Sequence, residues 1–546
     1  MSLLSKLKKY QSENLLKSEI ITLEKYIKIL EKNPGLHKGA HKRALDMIMS
    51  HGVEKDESGK ITNYNFFNSE IFGIEESIDK LMSYLRAAAS GSEGGKRILL
   101  MYGPTSSGKS QIAILLKRGL EAYSKTDDGA IYALSESPMH EDPMAAIPLD
   151  IRKEVESDLG ISIDGQLSPY MSHLLKEKYN GNFLKLPVKR IYLDEMTRTG
   201  IGTFVPSDKK SQDISELVGS IDLSKIAEYG TESHPMAYKF DGELNISNRG
   251  IMEFVEMLKV DQKFLYVLLT LAQEKNIKTG RFPLIYADEF LLSHTNETEY
   301  NRFLAKEEME ALHDRIIVVR VPYNLKISDE VKIYEKLISQ SGLKDIHIAP
   351  YSLYCAAMFS VLSRLKMSKN DKASLLNKAR LYDGEEVDGF TQKDIPALKK
   401  EFDSEGMVGI SPRYVINRIC STLSDEDVSD ITPIDVIRSL RAGFESNPKL
   451  NKKEIDRLDD ILTIVIEEYS KIAKNEVQKA FFVNFEKEVD NLLKNYLDHV
   501  EADLDGTKVE DEWGELHQPN ERLMRSIEEK IKISQSGRKS FRQEIF

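Results

Sequence analysis

Residues 97–116, RILLMYGPTSSGKSQIAILL, decide the fold. The apolar run Ile98-Leu99-Leu100 reads as a strand, the Gly- and Ser-rich stretch after it as a loop, and the apolar spacing beyond as an amphipathic helix. Gly103-x4-Gly108-Lys109-Ser110 has the full spacing of a phosphate-binding loop. Its glycines let the loop Gly103, Pro104, Thr105, Ser106, Ser107, Gly108 curl so that backbone N–H groups converge on phosphate oxygens. The helix starting near Lys109 adds its positive end, Lys109 supplies a point charge, and Ser110 is placed to hold Mg²⁺. A solvated Gly/Ser turn is the bland alternative, and the flanking strand and helix argue against it.

Outward from this loop, strand-like and helical runs alternate from Phe66 to Tyr323, the pattern of a parallel α/β sheet. The candidate strands are Ile98 to Tyr102, Ala130 to Leu134, Ile191 to Leu193, Ile251 to Val255, Leu284 to Ser293 and Ile316 to Val321. Residues 1–60 read as a small helical module ending in a charged linker, and 61–325 as the nucleotide-binding core with a large insertion over about 135–245. Residues 326–425 read as a helical lid and 426–546 as a more charged helical region. The chain stops at Phe546 inside the amphipathic SFRQEIF, with no capping or breaker residue, which implies a helix cut short.

Composition narrows the class. Among 546 residues the formal net charge is -12, and Lys and Arg are scattered among more numerous acids, so a nucleic-acid partner is not expected. Cys355 and Cys420 lie far apart, each beside apolar residues, as reduced and buried thiols of a cytoplasmic protein would. No signal-peptide core and no run of bilayer-spanning length is found, so no membrane partner is expected. Pro138-Met-His140-Glu141-Asp142 reads as a solvated loop, and no metal beyond Mg²⁺ is assigned.

A phosphate loop needs a carboxylate at the end of an apolar strand, to orient Mg²⁺ and polarise the attacking group. Three segments offer one: Ile191-Tyr-Leu-Asp194-Glu195, Ile251-Met-Glu253-Phe-Val255-Glu256 and Leu284-Ile-Tyr-Ala-Asp288-Glu289. Local pattern favours the first. Spacing favours the second, because Leu291-Leu-Ser-His-Thr-Asn296 looks like a strand ending in an Asn that positions the attacking water, and a parallel neighbour needs a crossover helix between. From Glu256 to Asn296 the gap of about 40 residues contains the helical run Phe264-Leu-Tyr-Val-Leu-Leu-Thr-Leu-Ala-Gln-Glu, whereas Asp288 leaves no room for a crossover. Glu256 is therefore the expected activating carboxylate. The choice leaves Val255 at the usual metal-orienting Asp position, with Mg²⁺ resting on Ser110, phosphates and water, or on Asp194 or Glu253.

These pieces in this order resemble the AAA+ ATPases, in the helix-2-insert clade that includes magnesium chelatases, MCM helicases and bacterial enhancer-binding proteins. Phe72-Gly73-Ile74-Glu75 looks like the box that cradles adenine. Leu312-His-Asp-Arg315, before the strand Ile316 to Val321, is similar to the arginine-finger segment, and Gly409-Ile-Ser-Pro-Arg413 to the sensor 2 segment. A finger acts across a subunit boundary, so the resemblance implies a homo-oligomeric ring, most often a hexamer. At closer range HTNETEY (294–300), GTFVPSDKKSQDISELVGSIDLSKIAEYG (202–230), FDGELNISNRGIMEFVEMLK (240–259) and VPYNLKISDEVKIYEKLI (321–338) resemble the PrkA family, called serine protein kinases. This implies an AAA+ P-loop parallel-sheet core with helical lid and helical N- and C-terminal regions, ATP and Mg²⁺ as ligands, transfer of phosphate to protein Ser or Thr, and a link to stress or sporulation physiology. Where some members carry Cys-Pro-x-Cys this chain has Ser168-Pro-Tyr-Met171, and its C-terminal part is shorter than the family's usual length.

The protein-kinase motif set, His-Arg-Asp with its Asn, Asp-Phe-Gly and Val-Ala-Ile-Lys, is absent from the sequence, so any transfer must use the P-loop site. The competing expectation is a motor for protein remodelling or ATP-dependent proteolysis. In that reading Gly200-Ile-Gly-Thr-Phe-Val-Pro206 is a pore loop whose Phe204 grips the substrate, and Ser220 with Lys225 is the candidate nucleophile and base.

Overall fold

The strand Ile98–Tyr102 (β1) is apolar on both alternating faces, and Ile98 to Met101 are at most 1% exposed, as expected of a central parallel strand covered on both sides. In the computed structural model, which describes residues 3–7, 19–206, 213–280, 282–306, 309–341, 346–368, 373–422, 430–448, 450–481, 485–510, 516–531, 533–535 and 537–545, β1 is joined by four more strands. They are Ile201–Phe204 (β2), Ile251–Val255 (β3), Phe290–Thr295 (β4) and Ile316–Arg320 (β5). All run parallel in the order β5-β1-β4-β3-β2. Register pairs Val255 with His294 and Thr295 with Tyr102, so the residues after β1, β3 and β4 leave the sheet along one edge.

Strand alternation divides the core. Leu99, Met101, Leu292 and Val319 pack under the helices Ala40–Ser50 (α1), Glu75–Ala89 (α2) and Lys109–Ser124 (α3). Ile98, Leu100, Phe254 and Leu291 pack on the other face against Gln262–Glu274 (α4), the crossover expected between Glu256 and Asn296. Helix α1 lies within the stretch read as an N-terminal module, and its Ala44, Met47 and Ile48 join the core of the sheet.

Four strand assignments change, the first being Ile191 to Leu193, where the strand is instead Pro187–Ile191. Ile131–Leu134 is a strand, but it pairs antiparallel with Pro187–Ile191, which in turn pairs with Ile21–Thr22, in a sheet separate from β1 to β5. Leu284 to Ser293 is two pieces, Ile285–Tyr286 and β4. The strand missing from the sequence reading is β2, which contains Phe204. That side chain is 3% exposed, with ring centroids 4.7 Å from Phe254 and 5.6 Å from Phe264. Phe204 is a core residue rather than a grip on substrate. The two glycines before it, Gly200 and Gly202, read as a loop because a four-residue strand has too few side chains to show its period. Residues 207–212 of the same loop lie outside the described residues.

After β5 the described residues are mostly helical, with Glu297–Leu304 (α5) preceding that strand and Ile327–Ser339 (α6), Ser352–Arg364 (α7) and Pro412–Ser421 (α8) following. Cys355 in α7 is buried, which pushes its thiol up to about 12, and Cys420 is half-buried; neither is in a disulfide. Contacts divide the chain into Met1–Leu462 and Thr463–Phe546. Inside the second unit Glu528 is fully buried and receives Arg542 at 2.6 Å and the Tyr496 hydroxyl at 3.2 Å. Phe546, the end of the SFRQEIF segment, lies outside the described residues. Among the described residues no helix is long and apolar enough to cross a membrane.

Truncating a packed aromatic in a sheet core leaves a cavity. Phe204→Ala is expected to destabilise the Met1–Leu462 unit by about 3–5 kcal/mol, read as an earlier urea transition by circular dichroism. A gripping loop would instead lose substrate handling at unchanged stability.

Candidate active site

Gly108 sits in the left-handed region, with φ at 98°, and from there α3 begins at Lys109. The loop thus closes on the helix N-terminus, where unpaired N–H groups and the helix dipole favour an anion. The Lys109 ammonium donates to the carbonyls of Gly103 at 2.9 Å and Pro104 at 2.6 Å, and lies 3.4 Å from the Ser107 hydroxyl. Burial lowers the Lys109 pKa to about 8, with the Glu256 carboxylate pulling the other way. Ser110, one residue on, is exposed.

Beside the loop is a cavity of about 440 Å³, whose lining includes Phe72, Ser106, Lys109, Tyr323 and Arg413. The adenine-box and sensor 2 candidates therefore meet the phosphate loop across one pocket. Gly73 turns the chain at Phe72 with φ at 72°, and a Cβ there would meet the Asn324 side chain at 2.1 Å, so no other residue fits without movement. Arg413 enters on α8, whose first turn is capped by Ser411 accepting from Tyr414 N–H at 3.2 Å. Two interactions around the pocket escaped the sequence reading. Glu70 accepts from Gln111 at 2.9 Å and pairs with Lys336, tying α3 to α6. Tyr323 donates its hydroxyl to the Thr105 carbonyl at 2.8 Å.

Glu256 and Asn296 come together as the spacing required. The Asn296 amide donates to the Glu256 carboxylate at 3.2 Å, while its Oδ1 accepts from Glu299 N–H at 2.9 Å and caps α5. One interaction orients the Asn and the other shares it with the acid. Lys259 also approaches Glu256, at 3.4 Å.

The other carboxylates are committed elsewhere. Glu253 is buried and paired with Lys117 at 2.7 Å and His294 at 3.0 Å; burial opposes its ionisation, but these two partners hold it below the usual range. Lys117 also reaches Glu195 at 2.6 Å. Its position two turns beyond Lys109, a charge on the inward face of α3, was the available signal for this cluster. Asp194 accepts from Met196 N–H at 2.8 Å, closing its own turn. Asp288 and Glu289 precede β4 and so lie at the opposite end of the sheet, where Asp288 accepts from Ala40 N–H at 2.7 Å and caps α1. Of the metal-orienting alternatives, Glu253 and Asp194 are thus both engaged. The donors that fit Mg²⁺ are Ser110 and the nucleotide's own phosphates.

Arg315 stands immediately before β5, with its carbonyl accepting from Ile98 N–H at 2.9 Å, so a strand of about 17 Å separates it from the phosphate loop of its own chain. Ser220 lies in a short strand opposite Lys239, and Lys225 pairs with Glu228 at 2.7 Å. The Ser220–Lys225 dyad is therefore not formed. His140 and Glu141 are not solvated as expected: burial lowers the His140 pKa to about 4, and buried Glu141 is held by Ser137 at 2.6 Å and by Ser168 N–H at 2.6 Å. Among the described residues no cluster of His, Cys, Asp or Glu could hold a metal ion.

The strand order, the phosphate loop and the Glu256–Asn296 pair define an AAA+ domain of the P-loop class. Residues 21–372 match the family described as PrkA AAA domain, and residues 376–546 match the PrkA serine protein kinase C-terminal domain. The chain belongs to the PrkA family. It is 50% identical over 547 residues to ATP-dependent protease PrkA of Bacillus subtilis (strain 168), covering 100% of this chain and 86% of that protein. It is 30% identical over 515 residues to Serine/threonine kinase YeaG of Escherichia coli (strain K12), covering 89% and 77%. Among solved structures a RuvB mutant of Thermotoga maritima aligns at 11% identity and a TM-score of 0.31, covering 68% of this chain and 71% of that one, a likeness too slight to carry an argument.

Burial that lowers the Lys109 pKa to about 8 couples binding to pH. Phosphate charge raises the Lys109 pKa from its free value of about 8, so nucleotide binding near and above that pH takes up a proton and weakens as pH rises. Calorimetry at pH 8.5 in buffers of different ionisation enthalpy is expected to show this uptake, and Lys109→Ala to abolish it along with most of the affinity.

Proposed function

We propose that this chain binds ATP with Mg²⁺ at the loop 103–110 and hydrolyses it, using the cycle to do work on a protein substrate. The observation that carries the reading is the Asn296–Glu256 hydrogen bond of 3.2 Å at the same sheet edge as Lys109. Bound ATP supplies the phosphoanhydride whose cleavage releases the free energy, with Mg²⁺ offsetting phosphate charge. Loop N–H groups and Lys109 hold and neutralise the phosphates; Asn296 holds a water; Glu256 takes the water's proton as it attacks. Phe72 and Gly73 receive the base, and Arg413 reaches the phosphates from the lid. Arg315, a strand's length from its own loop, serves a neighbouring chain's nucleotide, and the working unit is then a ring.

A relative at 50% identity is named an ATP-dependent protease, which favours work on polypeptides. With Lys225 paired to Glu228, no peptide-bond chemistry is assigned to Ser220. The second reading is protein phosphorylation, favoured by the description of the C-terminal family and by the name of the Escherichia coli relative. In it a seryl hydroxyl takes the place of water beside Glu256 and gives its proton to the same carboxylate. The two readings share every binding residue and differ only in the acceptor.

Following labelled γ-phosphate in the presence of protein extract separates them. Glu256→Gln is expected to retain ATP and lower turnover by about 100-fold or more, with the label of the unmodified chain released as free phosphate. Label recovered mainly as phosphoserine, and lost in both Glu256→Gln and Lys109→Ala, would select the kinase reading. For the ring, Arg315→Ala and Lys109→Ala chains are each expected to be inactive and to regain part of their ATPase when mixed; no recovery means that Arg315 does not act across a subunit boundary.

A further inference from the structure

The lid contains an arginine with every donor spent. Arg364, at the end of α7, has a fully buried side chain, and its guanidinium binds Glu330 through both nitrogens, at 2.8 and 2.6 Å. It also donates to the Asn324 carbonyl at 2.8 Å and twice to the Ile410 carbonyl, at 3.0 and 2.9 Å. These five bonds use all five N–H groups of an arginine, a pattern that lysine cannot reproduce. Beneath the guanidinium, at 4.8 Å, lies the ring of Tyr323, whose hydroxyl donates to Thr105 in the phosphate loop.

We propose that Tyr323 and Arg364 are positioning residues that transmit occupancy of the phosphate loop to Arg413. The connection is continuous. Thr105 is held by Tyr323, Tyr323 stacks under Arg364, Arg364 fixes Ile410, and Ile410 lies three residues before Arg413 on the segment that Ser411 caps into α8. The same segment is held from a second side, where Ile410 N–H donates to the Ser363 hydroxyl at 2.9 Å. It is also pressed close: Gly409 has φ at 120°, and a Cβ there would meet Arg364 at 2.8 Å. Residues 409–411 therefore move with the end of α7 rather than independently of it.

In this proposal, a bound nucleotide draws the loop's N–H groups toward its phosphates and so turns the peptide planes whose carbonyls face the other way. The Tyr323–Thr105 bond ties one such carbonyl to the ring beneath Arg364, so in this proposal a turn of the loop changes that bond. A hydrogen bond made in only one state biases an equilibrium by about 3- to 10-fold. The inference rests on ATP occupying this cavity.

Removing Arg364 would leave Glu330 buried and unpaired, so the test falls on Tyr323→Phe, which keeps the ring and deletes the hydroxyl. Spin labels at Ser92→Cys in the core and Asn417→Cys in the lid, in a Cys420→Ser background diluted with unlabelled chain, report their separation with and without a non-hydrolysable ATP analogue. In the unmodified sequence the analogue is expected to shift this separation. In Tyr323→Phe the shift is expected to disappear, with the analogue's affinity and KM within about threefold and kcat lowered by about 10-fold. A shift that persists in Tyr323→Phe with kcat unchanged overturns the relay alone. An unmodified chain that binds no analogue overturns the ATP reading as well.

Discussion

The hydrogen bond from Asn296 to Glu256 exists because β3 and β4 are parallel neighbours in a register that ends both strands at the same level. Parallel pairing makes one end of the sheet chemically different from the other. Every strand delivers its following loop to the same edge, and β1 delivers the phosphate loop there too. A carboxylate preceding a strand faces the opposite problem. Asp288 is a carboxylate like Glu256 and closer in sequence to Asn296, but it enters β4 rather than leaving it, and its carboxylate closes the N-terminus of α1. Burial opposes its ionisation, while Lys275, His41 and the Ala40 N–H hold it well below the usual carboxylate range. One carboxylate caps a helix at one end of the sheet, and the other meets Asn296 beside the phosphate loop at the other.

This explains which parts of the molecule were legible in the sequence. The phosphate loop is a local structure whose residue types answer to local backbone needs, so spacing alone located it. Glu256 was reached by a topological argument, the length of a crossover helix, and α4 occupies that gap. Phe204 and the strand Ile131–Leu134 failed for the converse reason. A short strand in a sheet and a short strand in a separate antiparallel sheet carry the same local pattern, and only the pairing distinguishes them. Ser220 and Lys225 failed similarly: five residues apart in sequence, they lie on a strand and a helix, and Lys225 finds Glu228 on its own helix. The Arg364 cluster gave no signal at all, because its partners come from residues 324, 330 and 410.

Val255 stands where a metal-orienting Asp is expected, and a buried cluster lies beneath it. Glu253 lies on the same face of β3, one alternation back, so a carboxylate is present one rung deeper than a metal-orienting residue would sit. It is paired on both sides, with Lys117 and His294. A buried ion pair of this kind adds little net stability over an apolar substitute, because desolvation offsets the attraction, but removing one partner is costly. The cluster therefore constrains more than it stabilises. Lys117 bridges Glu253 on the sheet to Glu195 on the turn 194–199, fixing α3 against both. Since α3 begins at Lys109, the orientation of the phosphate-loop helix is set partly by charges rather than packing alone.

Backbone conformation supports the same placement. Glu256 adopts φ at 48° and Ser106 φ at 64°, a left-handed region that costs a residue with a side chain about 1–2 kcal/mol. Glycine would occupy either position without that cost, yet one carries the carboxylate that meets Asn296 and the other lies in the phosphate loop. At Glu256 the reversal ends β3 abruptly and turns the chain into Met257–Lys259, leaving its carboxylate beside Asn296 at the sheet edge. An extended residue there would continue the strand direction and carry the carboxylate away from the Asn amide. The strained residue sits between two regular neighbours, a five-residue strand before it and a helical turn after it. The Glu256 carboxylate is thus positioned by backbone geometry first and by its hydrogen bond second, with Asn296 bonded to one of its two oxygens.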